Sequence, residues 1–188
     1  MNPVLGIQTE LFFEEKLGGG GTKIPVGIHT GVKFEGIEKD QKWFDIKYSN
    51  ADGRAIHKRL FCEANPKDGE TLETAITRRN TNNIRHVVKL LRIFLGDEVA
   101  ITVTAPDHDA YILYAAALLA PFKGQLVNLK VTLDRDGKYP ELGYSSDYVE
   151  RHIPGVATTL KFTNSEQAKI DAGPVSKEAP KPSSDLPF

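Results

Sequence analysis

Three stretches of two-residue periodicity, a block of helical periodicity and a further two-residue stretch, in that order, predict a mainly β protein with an inserted α section. The expected architecture is a five-stranded antiparallel barrel with an enlarged helical section between strands three and four. Composition agrees: of 188 residues, 40% are hydrophobic and 26% charged, which suits one globular core. A third observation concerns the end of the chain. From residue 165, Pro, Ser, Lys and Glu displace the large apolar residues, as in a disordered tail. The expected division is an arm over 1–25, a barrel over 26–164 and a tail over 165–188.

The elements follow in order. The arm carries "ELFFEEK", with Phe12 and Phe13, then four glycines at Gly18–Gly21 that hold no regular structure. Two adjacent phenylalanines imply docking, either as a packing arm or as a subunit contact. "VGIHTGVKFEGI" sets Val26, Ile28, Val32 and Phe34 against His29, Lys33 and Glu35, a half-buried strand with Gly27, Gly31 and Gly36 as bends or bulges. "KWFDIKYS" sets Phe44, Ile46 and Tyr48 against Trp43, Asp45 and Lys47. After the turn signal "NADG", "RAIHKRLFCE" sets Ile56, Leu60 and Cys62 against His57, Arg59 and Phe61. The three strands form a meander.

Helical spacing takes over with "DGETLETAI", starting near Asp68, and "NNIRHVVKLLRIFLG", with Asn82 or Asn83 as cap and Gly96 as stop. "EVAITVTA" reads as a strand or extended segment. "DHDAYILYAAALLAPF" reads as a helix ended by Pro121, apolar nearly all round, and so buried or plugging the barrel. "QLVNLKVTLDRDGKY" restores the two-residue period with Val127, Leu129, Val131 and Leu133. Residues 139–157 are irregular and tyrosine-rich, and "ATTLKFT" over 157–163 is the expected final strand. Three meandering strands, a helix and a closing pair is the order of the OB-fold, a Greek-key barrel used for oligonucleotides and oligosaccharides. A β-sandwich is the competing arrangement, and the helices argue against it.

Bulk properties narrow the function. Net charge is -1, so no global basic field advertises nucleic acid. The lone cysteine, Cys62, allows no internal disulfide and no cysteine-rich metal site. The longest apolar run, 110–122, falls short of the roughly 20 residues of a membrane span, and the N-terminal residues lack a signal-peptide pattern. A cytoplasmic protein without a membrane partner is expected. Five histidines show no metal-ligand spacing, "DHD" at 107–109 reads as a helix cap, "GGGG" lacks the Lys-Ser/Thr of a phosphate loop, and G-x-S-x-G is missing. The expectation is a non-enzyme without metal or cofactor.

Charge is distributed unevenly. Residues 54–95 hold nine Lys and Arg against four acids. "TRRNTNNIR", with Arg78, Arg79 and Arg85, is the densest patch; it reads as phosphate and base-edge contacts or as a solvated helix surface. Single strands also need aromatic platforms beside cations. The outward positions of the meander supply both types: His29 and Lys33, then Trp43 and Lys47, then His57, Arg59 and Phe61. The competing reading packs Trp43 and Phe61 under the arm or a helix. Tyr139, Tyr144 and Tyr148 read as further stacking groups or plain turn residues.

The last four residues are Asp185, Leu186, Pro187 and Phe188, behind a proline-containing linker. With the strand order, this tip resembles the single-stranded DNA-binding proteins of bacteria and their phages, in a divergent form that suggests a phage protein. Those proteins join an OB-fold to a disordered tail ending in acidic residues and Leu/Ile-Pro-Phe. The resemblance implies single-stranded DNA as ligand and roles in replication, recombination or repair. It also implies that the tip recruits polymerase, helicase or nuclease partners through an apolar pocket with a basic rim, and it allows a homo-oligomer. Only Asp185 is acidic here, where the family's tips carry several acids, and the core matches by element order alone. The rival from another class is a virion structural or adaptor protein with a barrel core and a docking tail.

Overall fold

The computed structural model describes residues 23–173. Six strands lie in one antiparallel sheet that is nearly closed: β1 (Gly27–Lys39), β2 (Trp43–Ser49), β3 (Ala55–Phe61), β4 (Leu126–Leu133), β5 (Pro140–Leu142) and β6 (Val149–Arg151). The order is β3-β2-β1-β4-β5, with β6 also on β4. The result is a mainly β, OB-like barrel with a helical section between β3 and β4, as the periodicities predict. β1 is long enough to pair with β2 along its second half and β4 along its first. It bends at bulges between Phe34 and Gly36 and between His29 and Val32.

The alternation places Val32, Phe34, Phe44, Ile46, Tyr48, Leu60, Val127, Leu129 and Val131 in one buried cluster. The helical section completes that core. Helix α1 (Leu72–Leu95) contributes Val87, Leu90 and Leu91; the short α2 (Asp97–Thr102) contributes Ala100; α3 (His108–Leu119) contributes Tyr111, Ile112, Ala115 and Leu119. The Asp107 side chain caps α3 by accepting from the Ala110 amide at 2.8 Å. Its surroundings are less complete than its composition implies, for Leu113 and Tyr114 stand exposed.

Five sequence expectations give way. Asn82 and Asn83 do not start a helix, because α1 runs through them from Thr71, whose hydroxyl accepts from the Thr74 amide. The buried Asn83 amide instead donates to the Phe61 carbonyl at 2.9 Å and meets His108 Nε2 at 3.1 Å. "EVAITVTA" is not a strand: its first five residues belong to α2, whose first turn carries Asp97 and Glu98, favoured at a helix N-terminus. The fifth strand is not 157–163. It comes from the irregular, tyrosine-rich segment as two short pieces, β5 on Val131–Leu133 and β6 on Val127–Leu129, end to end along one edge of β4. Residues 157–163 cross the outside of β4, where the Lys161 carbonyl accepts from Lys130. The tail does not begin at 165, because Asn164–Ala172 form α4. Thr163 and Glu166 make its reciprocal N-terminal cap, and Ile170 is buried beside Val26 and Leu133. The fold also starts before residue 26, with Ile24 fully buried and Lys23 bridged to Ala55. The tip Asp185–Phe188 and the arm's Phe12 and Phe13 lie outside the described residues.

α4 and the strap before it cover the outward side of β4, so Asn128, Lys130 and Thr132 are as buried as their apolar neighbours. Each polar group has an answer. Asn128 donates to Glu150 at 2.8 Å and its amide oxygen meets His152 Nδ1 at 2.8 Å, and the Lys130 ammonium donates to Glu166 at 2.9 Å. At the opposite wall His86 of α1 lies against Tyr148, ring centres 5.5 Å apart. Burial, with Lys58 and Arg85 close by, pushes its imidazole down to about 3.

Among the described residues, no helix is long and apolar enough to cross a membrane.

Candidate nucleic-acid interface

The β2–β3 register assembles the outward row directly. Trp43 faces Phe61, Asp45 faces Arg59 and Lys47 faces His57, three consecutive cross-strand pairs on one side of the sheet. Inward packing of Phe44, Ile46, Tyr48, Ile56 and Leu60 fixes this presentation, since a one-residue slip would turn every side chain over. Trp43 and Phe61 meet edge-on at 6.4 Å, and the Arg59 guanidinium lies 4.1 Å from the Trp43 ring centre. Phe61 keeps 54% of its surface exposed. Its backbone is anchored from behind by Asn83.

Beside this row the barrel has a seam. β3 and β5 approach without forming a ladder, and a cleft of about 690 Å³ opens there. Lys47, His57, Arg59 and Phe61 line it, with Lys23, Lys58, Glu35 and Glu141. Lys58 sits at inward parity between Ile56 and Leu60, yet its ammonium donates to the carbonyls of Leu142 at 3.0 Å and Gly143 at 2.9 Å. It clips the seam where ladder hydrogen bonds are missing. Desolvation lowers its pKa and Glu141 opposes that shift. Tyr139 stands exposed just before β5 with Lys23 above its ring at 5.9 Å, and exposed Tyr144 just after β5 meets Asn82 of α1.

The cations of the row are not free. Arg59 is held in a fork by Asp45 at 3.0 and 3.1 Å, and Lys47 pairs with Glu38 across the sheet. Glu35 accepts from Ser49 on the same side. The platform is therefore aromatic and close to electrically balanced, less basic than the sequence alone implies.

The other sequence-predicted residues lie elsewhere. His29, on β1, donates from Nε2 to the Pro25 carbonyl at 2.9 Å, and Lys33 is exposed further along the strand. Arg78 grips Glu70 twice at 2.8 Å and the Asn65 carbonyl at 3.1 Å, while Arg79 donates to the Cys62 carbonyl. Those two arginines fasten the loop after β3 to α1. Arg85 is exposed on α1. None of these five lines the cleft. Sequence reasoning missed Lys23, Lys58 and Glu141. Lys58 falls at an apolar parity, and β5 carries no periodic signal. Of the tyrosines read as stacking groups or turn residues, Tyr139 and Tyr144 stand exposed at the two ends of β5, whereas Tyr148 is fully buried.

Among the described residues no group of three or more His, Cys, Asp or Glu is placed to hold a metal ion. Comparison with protein families, with curated proteins and with solved structures finds no match for this chain.

Proposed function

We propose that this chain binds single-stranded DNA, without strong sequence preference, across the outer face of β2 and β3 and the seam cleft, and so protects it in the cytoplasm during replication, recombination or repair. One observation carries the reading: the exposed Phe61 ring at the cleft mouth, held edge-on to Trp43 with Arg59 over the indole. Every base has a flat face, so such a ring accepts any base. Lys23 and Lys58 in the cleft lining supply positive charge for the phosphates. Asp185, Leu186, Pro187 and Phe188 recruit polymerase, helicase or nuclease partners.

The test is binding of oligo-dT against duplex DNA at two salt concentrations. Oligo-dT should bind more tightly, and its affinity should fall as salt rises. Trp43→Ala and Phe61→Ala should each weaken it by roughly 1–3 kcal/mol. Deleting residues 180–188 should leave the melting temperature and oligo-dT binding intact while abolishing partner capture. Equal affinity for duplex and single strand, or salt-insensitive binding, overturns the proposal.

The ion pairs of Lys47 and Arg59 favour a second reading, since a balanced aromatic face also suits protein contact. It makes the chain a virion structural or adaptor protein, and it predicts no oligo-dT binding at all.

A further inference from the structure

The Phe12-Phe13 motif has no part in the site just described, yet its chemistry matches that site. Residues 10–15, Glu-Leu-Phe-Phe-Glu-Glu, set two flat rings between carboxylates. A single strand offers the same two features, negative charge and aromatic faces. We propose that this segment of the chain's own arm docks in the seam cleft, with Phe12 or Phe13 against Phe61 and Trp43 and its glutamates toward Lys23 and Lys58, so that nucleic acid must displace it. The proposal rests on reading the cleft as the binding surface.

Three facts carry it. The first is attachment: Lys23, where the arm joins the fold, is itself a wall of the cleft. The second is reach. Lys23 bridges Ala55 in parallel, so the chain from Lys23 onward runs along β3 toward Phe61, and an arm that precedes it has to double back to reach that ring. Four glycines at Gly18–Gly21 allow the backbone to reverse without steric cost. Phe61 lies six residues along β3 from Ala55, roughly 20 Å. Ten residues separate Phe13 from Lys23, roughly 33 Å when extended, which leaves length for the reversal. The third is charge. Residues 1–22 hold Glu10, Glu14 and Glu15 against Lys16 alone, while the cleft lining offers Lys23 and Lys58 in addition to the carboxylate-paired Lys47 and Arg59. A tether this short holds the segment at an effective concentration on the order of millimolar, so even a weak contact is populated.

The experiment compares the full chain with a variant lacking residues 1–16 and with the double variant Phe12→Ser, Phe13→Ser. Trp43 is the only tryptophan, so its quenching by acrylamide reports cover over the platform without any nucleic acid. Docking predicts quenching about twofold stronger in both variants, reversed by a synthetic peptide of residues 9–16. It also predicts oligo-dT affinity raised roughly tenfold, as expected for a millimolar competitor of about 0.1 mM intrinsic affinity. Identical quenching in all three proteins overturns the proposal whatever the oligo-dT result. A quenching difference that disappears on hundredfold dilution also overturns it, because the occupant is then a second copy's arm. If quenching responds but oligo-dT binds none of them, the docking stands and the nucleic-acid reading falls.

Discussion

Acidification should loosen the protein through one identifiable side chain. His86 is buried in α1 against Tyr148, and its imidazole is pushed down to about 3 by desolvation, with Lys58 and Arg85 adding to the effect. The unfolded chain titrates near 6.5. Between those values the unfolded state holds a proton that the folded state refuses, so stability falls as pH falls below about 6.5. From about pH 7.5 to about pH 5 this one group removes about 2 kcal/mol. His57 and His108 shift in the same direction, so the whole protein loses more. The clean measurement is therefore a difference. Urea unfolding of the parent and of His86→Leu at both pH values cancels the other histidines and any offset from the substitution itself. The parent should lose about 2 kcal/mol more than the variant over that interval. Equal losses in the two proteins would mean that His86 is not buried neutral, and the packing of α1 on Tyr148 would need redrawing.

Three further outcomes follow from named contacts. Lys58→Met removes a charged donor from two carbonyls at the seam and should cost about 1.5–3 kcal/mol in unfolding experiments, with faster amide exchange in β5; no change would mean the clip is ornamental. Asp45→Asn releases the Arg59 guanidinium from its fork, so oligo-dT should bind more tightly and the log–log salt slope should steepen by about 0.7, one further phosphate contact on a single strand; a flat response would remove Arg59 from the site. Ile170→Ala should lower stability by about 1.5–3 kcal/mol, whereas a tail disordered from 165 predicts none.

The barrel was legible where side chains alternate between core and solvent. β1, β2 and β3 show that alternation, and so does the inward row of β4. The outward row of β4 misled, because Asn128, Lys130 and Thr132 look like solvent-facing residues but are covered by a strap and by α4. β5 and β6 are three residues each, too short for any period, and their existence depends on the edge that β4 offers. α4 had a readable signal in Thr163-Asn164-Ser165-Glu166, a capping box, which the polar composition downstream outweighed. At the site, shared parity correctly brings Trp43, Lys47, His57, Arg59 and Phe61 to one face. Parity within single strands does not show that Glu38 lies within reach of Lys47, which depends on the β1–β2 register and the bulge at Gly36.

The pairing of β1 with β4 has a consequence for how the chain is made. Gly31 and Asn128, which touch in the finished barrel, are 97 residues apart. At roughly 5–20 residues per second, a ribosome leaves the first strand waiting on the order of 5–20 s for its neighbour. Through that interval the meander of β1, β2 and β3 presents an open edge to every other nascent chain. The irregularity between His29 and Val32, with Gly31 at φ 70°, lies on that same edge. A kinked edge makes a poor template for a foreign strand. A substitution that favours straight extended backbone there, for instance Gly31→Val, is strained at φ 70° and should therefore show both as lost soluble yield during expression and as lowered stability of the finished molecule.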